Sequence, residues 1–510
     1  MALSLLLKHN PKEYEEIIKC QFTLKDINAV ASTLISILNE KEEPLIAYQI
    51  ALNLYDNQNS YFLSEISSKI NSLSGINSSS NDDDIDLYSD TNTTNQNINL
   101  DKTFLNRINK LKSILEGNIH KNIEGKVLSK LNKSDDKLFD TLKKGVEKCG
   151  SGPALGVIIS HSLMNARTKN DEILKKNIDW ISKMTNWSRF AASAALGVIH
   201  MGNTEKGYET IKPYLPGSNQ NPSVYAQAGA YYGLGLIYAN TNNSEIVKVL
   251  NEALSSNSSS NIQDCLQHGI LLAIGLVKMG AGNEDLYIKL RDFMYKDDAI
   301  IGEAATYAIG LTMLSSKNEE VIEDLLAYAH DTQHEKIIRA ISLSLALIMY
   351  GSEEGSDNLV DQMSKDKDPI IRYGAMFVLG LAYAGTGNSA AFKKLIKFSV
   401  SDNNDDVRRG ALISIGFLHF RNPGLLIKKL KVLHLLSESY NQHVRYGTAM
   451  SLGIACAGTC NIDAYNIIEP LLNDPFPLVR QGAYIASGMI MSQCNSKIEP
   501  KVSVKYIINN

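Results

Sequence analysis

Apolar and polar residues along most of this chain follow the pattern of paired helices. Residues 300–314 form a nearly continuous apolar run, 315–318 are a polar break, and 321–329 carry a second, amphipathic pattern. Strand-like alternation is scarce, so the pattern predicts an all-α chain of helix–loop–helix units. The first helices are apolar nearly all round, as in residues 229–237, and we expect them to form an inner layer covered by the second helices.

Within each apolar run, a small residue is followed six positions later by another small residue. This pair recurs between Phe190 and Ser492, and its second member falls at Gly197, Gly235, Gly275, Gly310, Ala346, Gly380, Gly416, Gly453 and Gly488. Successive members lie between 34 residues (Ala346 to Gly380) and 40 residues (Gly235 to Gly275) apart. Spacing this regular predicts a repeat protein, here an α-solenoid.

Glycine inside a helix costs about 1 kcal/mol relative to alanine. We interpret the repeated glycines as places where a neighbouring helix approaches closely. The positions are Gly197, Gly229, Gly235, Gly269, Gly275, Gly310, Gly374, Gly380, Gly410, Gly416, Gly447, Gly453, Gly482 and Gly488. A phosphate-binding role for segments 233–235 and 280–282 is disfavoured, because a dinucleotide fingerprint needs a preceding strand and a third glycine.

A second feature recurs at the same position of several repeats. An arginine stands two positions before the first small residue of the pair at Arg189, Arg372, Arg408, Arg445 and Arg480, often after acidic residues. One interpretation is a basic ladder that meets an acidic partner. We favour Asp–Arg contacts between successive repeats, bidentate at best, because a residue type tied to the repeat phase usually serves the stacking.

Outside the repeats the composition changes. Residues 1–70 are predicted to be helical, with an apolar face at Val30, Leu34, Ile37 and Leu38 and a second helix opened by Pro44. Residues 71–100 form an Asn/Ser/Asp-rich insert, of which 71–97 are predicted to be disordered. Residues 101–154 are predicted to be a helical linker, 155–495 the repeats, and 496–510 a short tail.

Composition and charge exclude several classes of protein. The chain has 510 residues, 44% of them hydrophobic, and a net charge of −4, which argues against a general nucleic-acid binder. Its six cysteines are scattered without a two-cysteine metal motif, so we predict reduced thiols. Apolar runs such as 411–420 are too short to span a bilayer.

Candidate chemistry is weak throughout. His330 and His334 are four residues apart, but Asp331 stands where a zinc-protease motif has glutamate, and a polar inter-helix segment is favoured. Cys456 and Cys460 are also four apart and are predicted to be buried structural thiols. We therefore predict no catalytic, cofactor-binding or metal site.

The repeats resemble the proteasome/cyclosome repeat family. The segment Asn186-Trp187-Ser188-Arg189-Phe190 carries this resemblance, together with residues 195–200, 213–216, 297–305, 332–339, 366–372, 404–409 and 437–447. These segments are similar to the larger of the two kinds of repeat-bearing scaffold subunit of the proteasome regulatory particle. The similarity is dense over residues 155–495 and weaker over 20–70.

The resemblance implies a toroid of two concentric helix rings with an N-terminal helical rod beside it. It implies a non-catalytic scaffold that positions ATPases, a deubiquitinase module and ubiquitin receptors in ubiquitin-dependent degradation. A hetero-oligomeric complex in cytoplasm and nucleus follows, without nucleic acid or membrane. Relatives are expected to be longer at both ends, which leaves open receptor docking through a C-terminal tail and closure of the ring.

Three alternatives stay open. The smaller repeat-bearing subunit binds ubiquitin-like domains directly, although the Trp187 segment and residues 440–447 favour the larger one. A non-proteasomal, HEAT-like adaptor would be an open helical solenoid. A hydrolase or nucleotide-binding enzyme would use the glycine-rich segments.

Overall fold

The structure is a computed structural model that describes residues 14–24, 26–39, 44–57, 60–73, 95–131, 136–216, 223–256 and 264–492. Within these ranges every regular element is a helix and no strand occurs, so the predicted all-α class is confirmed. The chain divides into two compact units, residues 1–281 and residues 282–510.

The described α-helices of the first unit are α1 (Tyr14–Thr23), α2 (Ile27–Asn39), α3 (Pro44–Asn57), α4 (Ser60–Leu73), α5 (Asn95–Leu115), α6 (Asn118–Leu131), α7 (Asp136–Val146), α8 (Ser151–Met164), α9 (Glu172–Lys176), α10 (Ile178–Ile181), α11 (Asn186–Ile199), α12 (Gly207–Ile211), α13 (Val224–Ile237), α14 (Ser244–Ser256) and α15 (Asp264–Val277). Those of the second unit are α16 (Glu284–Met294), α17 (Ala299–Thr312), α18 (Glu319–Asp331), α19 (Glu335–Ile348), α20 (Asp357–Met363), α21 (Pro369–Ala382), α22 (Ser389–Ser401), α23 (Asp405–Leu418), α24 (Pro423–Ile427), α25 (Leu430–Ser437), α26 (Gln442–Ala455), α27 (Ile462–Ile468) and α28 (Pro477–Met491). Short 3₁₀ turns cover Lys212–Tyr214, Glu353–Ser356 and Glu469–Asn473.

Helices α2 to α5 share one hydrophobic core. The predicted apolar face of α2 is fully buried in it, and α3 begins at Pro44, as the sequence indicated. Leu111 and Leu115 of α5 pack into the same core. The first part of the predicted linker therefore packs with the N-terminal helices.

The predicted disordered tract lies between two of these helices. Helix α4 extends through Leu73 and α5 begins at Asn95, so both edges of the tract are helical. Residues 74–94 lie outside the described residues.

The helices that carry the small-residue pairs pack against one another in chain order within each unit. In the first unit the order is α11, α13 and α15, and in the second it is α17, α19, α21, α23, α26 and α28. We call these the inner helices. Most of them are 14 residues long, and their apolar side chains are buried on nearly every side, as predicted for an inner layer.

The second helix of each repeat, the outer helix, packs mainly against the inner helix that follows it. This holds for α14 on α15, α16 on α17, α18 on α19 and α22 on α23. Outer helices such as α16 bury one stripe, here Tyr287, Leu290 and Met294, and keep charged residues on the other side. The closure of the repeats into a toroid stays a prediction.

The glycines of the inner helices stand where two such helices meet. A Cβ atom added to Gly235 would lie 2.5 Å from Cα of Ala273, and one added to Gly453 would lie 2.7 Å from Cα of Ala486. Real Cβ atoms essentially never come so close to other atoms. The added carbon would come within 3.0 Å of an adjacent inner helix at Gly197, Gly229, Gly235, Gly269, Gly310, Gly374, Gly380, Gly410, Gly416, Gly447, Gly453 and Gly482.

The spacing of six residues has a geometric reason. At 3.6 residues per turn, six residues rotate a helix by about 600°, so the two glycines lie on different sides of it. The first member, such as Gly374, faces the preceding inner helix, and the second, such as Gly380, faces the following one. One helix thereby accepts two close neighbours.

Two positions of the predicted set stand apart. Gly275 is buried within α15. Gly488 of α28 is exposed, and among the described residues nothing lies within 4 Å of a Cβ atom built there. Gly453 and Gly488 therefore occupy the same repeat position with opposite surroundings.

Replacing these two glycines by alanine should have opposite effects on stability. Gly453→Ala forces a carbon against the α28 backbone, and we expect it to lower the free energy of unfolding by about 1–3 kcal/mol. In Gly488→Ala the alanine has the higher helix propensity and its Cβ meets no neighbouring atom among the described residues. This change should raise the free energy of unfolding by up to about 1 kcal/mol. Urea unfolding followed by circular dichroism measures both. Equal shifts in the same direction would contradict the close-approach interpretation.

Candidate functional site

Two of the repeat-phase arginines join successive repeats of the second unit. Nε and Nη2 of Arg372 donate to the two carboxylate oxygens of Asp402 at 3.0 and 3.2 Å. The same atoms of Arg445 donate to Asp474 at 2.7 and 3.0 Å. Each Nη1 also donates to the carbonyls five and six residues before its arginine. We call this arrangement the arginine clamp, and it fastens one inner helix to the loop that precedes the next.

The other three arginines make only part of this arrangement. Nε of Arg408 donates to the backbone carbonyl of Asp402 at 2.5 Å, and the following repeat carries Ser439 in place of the aspartate. Nη1 of Arg480 contacts the two carbonyls before its helix. Arg189 in the first unit contacts a single backbone carbonyl. The clamp thus requires both the arginine and an aspartate about 30 residues later.

Each clamped aspartate also organises the start of the next inner helix. Oδ1 of Asp402 accepts the backbone N–H of Asn404 at 2.8 Å, and Oδ1 of Asp474 accepts that of Phe476 at 2.9 Å. Burial by itself raises the pKa of these carboxyl groups. The hydrogen bonds and the guanidinium charge outweigh burial and lower the pKa of both below its usual value. The clamp is therefore an ion pair at neutral pH.

Side-chain caps fix the starts of both inner and outer helices. In each case the oxygen of the residue before the helix accepts a backbone N–H of the first turn, and such a cap stabilises a helix by about 1 kcal/mol. The capping residues include Ser223, Asn283, Asp298, Asn318, Asp368, Asn388, Asn404, Asn441 and Asn461. Before α23 the Asn404 cap and the clamp on Asp402 together hold the loop in one conformation.

The break after most inner helices also contacts the next repeat. Backbone N–H groups of Ser315 and Lys317 donate to the carbonyls of Leu347 and Ile348, at the end of α19, at 3.1 and 3.4 Å. The same pairing joins residues 240 and 242 to the end of α15, 385 and 387 to the end of α23, and 458 and 460 to the end of α28. We call these contacts the carbonyl ladder. They satisfy helix-end carbonyls that have no partner within their own helix.

Sequence reasoning missed the carbonyl ladder. Its donors adopt the left-handed conformation, with φ of 74° at Gly385 and 63° at Gly387, but also 59° at Ser315 and 56° at Lys317. Glycine and asparagine mark this conformation in a sequence, whereas serine and lysine do not. Only the fixed position of these residues just after each apolar run could have shown it.

The histidines that were weighed as metal ligands make other contacts. Nε2 of His330 lies 2.9 Å from Oδ2 of Asp366 in the next repeat, and its Nδ1 lies 2.8 Å from the Leu326 carbonyl. His334 precedes α19 as its N-cap residue. Across the part of the chain that the structure describes, no group of three or more His, Cys, Asp or Glu residues is placed to hold a metal ion.

The prediction of reduced, buried thiols is right for Cys456 and wrong for Cys460. Cys456 is buried and free, and burial raises the pKa of its thiol to about 11. Cys460 is disulfide-bonded. It lies in the break after α26 at φ 53° and is partly exposed, so it does not belong to the apolar helix as the sequence suggested.

An aromatic cluster lies where the inner helices of the first unit begin. Trp187 packs edge-on against Phe190, Tyr225 and His268, with ring centroids 5.3–5.7 Å apart. Its side chain stays 41% exposed. Exposed tryptophan supported by other rings is a frequent anchor of protein–protein interfaces. In the sequence, the segment around Trp187 stood out only through its resemblance to the repeat family.

Acidification should weaken the clamps in a defined range. Because the native pKa of Asp402 and Asp474 lies below the unfolded value, their stabilisation is complete above that value and is lost as pH falls through the native one. Asp474→Asn should lower the free energy of unfolding by about 2–3 kcal/mol at pH 7. The difference in stability between the unchanged chain and this variant should become smaller below about pH 4. Urea titrations between pH 3 and pH 7 measure this. The exposed Asp463→Asn is the control and should change stability by less than about 0.5 kcal/mol. A stability difference between the unchanged chain and Asp474→Asn that stays constant from pH 3 to pH 7 would contradict the ion-pair assignment.

None of the described helices combines the length and apolar character needed to cross a membrane.

Two family models match the chain. The model described as proteasome/cyclosome repeat matches residues 191–224, 229–263, 304–338 and 447–475. The model described as 26S proteasome subunit RPN2, N-terminal domain, matches residues 1–130.

Similarity to curated proteins extends over nearly the whole chain. It is 38% identical over 99% of its length to 26S proteasome non-ATPase regulatory subunit 1 homolog A of Arabidopsis thaliana. It is 37% identical over 96% to the corresponding subunit 1 of Drosophila melanogaster, and 35% identical over 99% to regulatory subunit rpn2 of Schizosaccharomyces pombe. It covers 52%, 50% and 50% of these proteins, so the chain spans about half the length of the curated relatives it matches.

The repeat matches fall on the inner and outer helices described above, and the N-terminal match covers the separate core of α2 to α5. Together with the near-full-length similarity, they show that the chain belongs to the proteasome/cyclosome repeat family and is similar to the larger of its regulatory-particle subunits.

Proposed function

We propose that this chain is a non-catalytic scaffold in the base of the proteasome regulatory particle. It would hold the ATPases, the deubiquitinase module and the ubiquitin receptors in place for ubiquitin-dependent degradation, in cytoplasm and nucleus. The similarity to proteins named non-ATPase regulatory subunits, over nearly the whole chain, carries this proposal.

The packing supports a scaffold role. Inner helices are fixed to their neighbours by close contacts at glycines along their length, and most of them also by the carbonyl ladder at their end. Arginine clamps and side-chain caps hold several of the loops between them. Loops held in this way present binding surfaces at constant distances, which is what an assembly platform requires.

The alternatives have less support. The curated relatives are of the subunit 1 type, which favours the larger scaffold over the smaller one and over a HEAT-like adaptor. Segment 233–235 does not form a phosphate-binding loop, since Gly233 and Gly235 lie inside α13 against neighbouring inner helices.

Affinity purification of the tagged full chain from cells should recover proteasomal ATPases, identified by mass spectrometry. A matched variant, Trp187→Ala, removes the exposed aromatic anchor and should reduce the recovery of at least one partner while leaving the helical content unchanged. Trp180→Ala serves as the control for tryptophan loss outside this cluster.

Absence of every regulatory-particle subunit from the purified material, with the chain folded by circular dichroism, would overturn the proposal. Strong binding of isolated ubiquitin would favour the smaller-subunit alternative. Stabilisation by nucleotides in a thermal-shift assay would favour an enzyme.

A further inference from the structure

A cavity of about 350 Å³ lies within the first unit, between the short helices α9 and α10 and the inner helices α11 and α13. Its walls are largely apolar, with Leu174, Ile178 and Leu196 among them, and Arg189 and Lys175 contribute positive charge. Its volume is at the lower end of the range for small-ligand sites. None of the contacts described above fills it.

Arg189 is the repeat-phase arginine of this part of the chain, and its guanidinium is incompletely paired. Nη2 donates to the carbonyl of Ser182. Nε is buried, and no acceptor contacts it among the described residues. In Arg372 and Arg445 the corresponding Nε and Nη2 hold a carboxylate in bidentate fashion. Among the described residues, Arg189 therefore keeps its Nε–H and the second N–H of Nη2 without the carboxylate that these two nitrogens hold in Arg372 and Arg445.

The sequence explains the missing partner. In the clamped repeats the aspartate stands two positions before the N-cap residue of the next inner helix, as Asp402 does before Asn404. The next inner helix after Arg189 is α13, with its N-cap at Ser223. The residue two positions earlier in the sequence is Asn221, which carries no charge.

The other charges in the cavity are already paired. Nζ of Lys175 lies 3.0 Å from Oδ2 of Asp171, and the same oxygen lies 3.1 Å from Nε2 of His200. Asp171 also lines the cavity, but Lys175 balances its charge and Nε2 of His200 lies within hydrogen-bond distance of it. Among the described residues that line the cavity, Arg189 is the charged residue without an oppositely charged partner.

We propose that this cavity binds a single carboxylate carried on an apolar body, with Arg189 as its bidentate partner. An aspartate or glutamate side chain between apolar residues of another polypeptide has this chemistry, and so does a small aliphatic acid. A phosphate group fits less well, because its second charge would have no cation to pair with. The inference rests on this chain's own residues and does not depend on the proposed scaffold role.

Isothermal titration calorimetry on the full chain tests the site with three probes. These are the peptide acetyl-Leu-Asp-Leu-amide, its uncharged analogue acetyl-Leu-Asn-Leu-amide, and 4-methylpentanoate. We expect the aspartate peptide to bind about tenfold or more tightly than the asparagine peptide. Tighter binding of the peptide than of 4-methylpentanoate identifies a polypeptide ligand, and the reverse identifies a small acid; either supports the carboxylate site.

Variants separate the site from general charge effects. Arg189→Gln should weaken binding of the acidic probes about tenfold or more, and Arg189→Lys should restore part of it. Lys176→Gln removes a positive charge from the same short helix outside the cavity and should leave binding unchanged. Thr210→Phe leaves Arg189 in the sequence and places a ring in the cavity, and it should abolish binding even if Arg189→Gln does not fold.

Equal affinity for the aspartate and asparagine peptides would overturn the proposal. Absence of binding by all acidic probes would do so too, as would acidic binding that survives both Arg189→Gln and Thr210→Phe.

Discussion

The close approach of successive inner helices is the constraint on which the rest of the structure depends. Where a Cβ atom at Gly235 would lie 2.5 Å from the neighbouring Cα, no residue other than glycine permits the observed packing. Each glycine carries a propensity cost of about 1 kcal/mol, and tight packing of apolar surface along the helix offsets it. Because the two glycines of a pair serve different neighbours, the repeat can be extended without changing its contacts.

Polar contacts then fix the register at both ends of the inner helices. At the end of the helix, the carbonyl ladder supplies backbone donors from the preceding repeat. At the start, side-chain caps hold several of the loops, and in two repeats the arginine clamp adds an ion pair that is largely shielded from solvent. A slide of one inner helix along another would break both sets at once. This explains how a stack of apolar helices, which would otherwise slip, keeps one alignment.

The repeats differ in the residues that surround the repeat-phase arginines. The clamp is complete where an aspartate follows the arginine and partial where serine replaces the aspartate, as at Ser439. In the first unit the residue at the aspartate position of the sequence is Asn221, and Arg189 lies beside a cavity. Repeat proteins acquire specific sites in this way, because a position freed from its structural contact remains in a fixed frame. The aromatic cluster around Trp187 is a second departure from the common pattern in the same unit.

The sequence by itself determined the all-α class, the repeat length, the paired helices and the family, since periodic apolar residues and recurrent glycines are local signals. It also showed that five arginines occupy the same position of their repeats. Only the tertiary structure decided which of them hold a carboxylate, because that depends on a residue about 30 positions away brought near by stacking. The left-handed donors at Ser315 and Lys317 and the disulfide at Cys460 were likewise beyond sequence reasoning. Neither residue type reveals such a conformation or bond, which contacts with other parts of the fold determine.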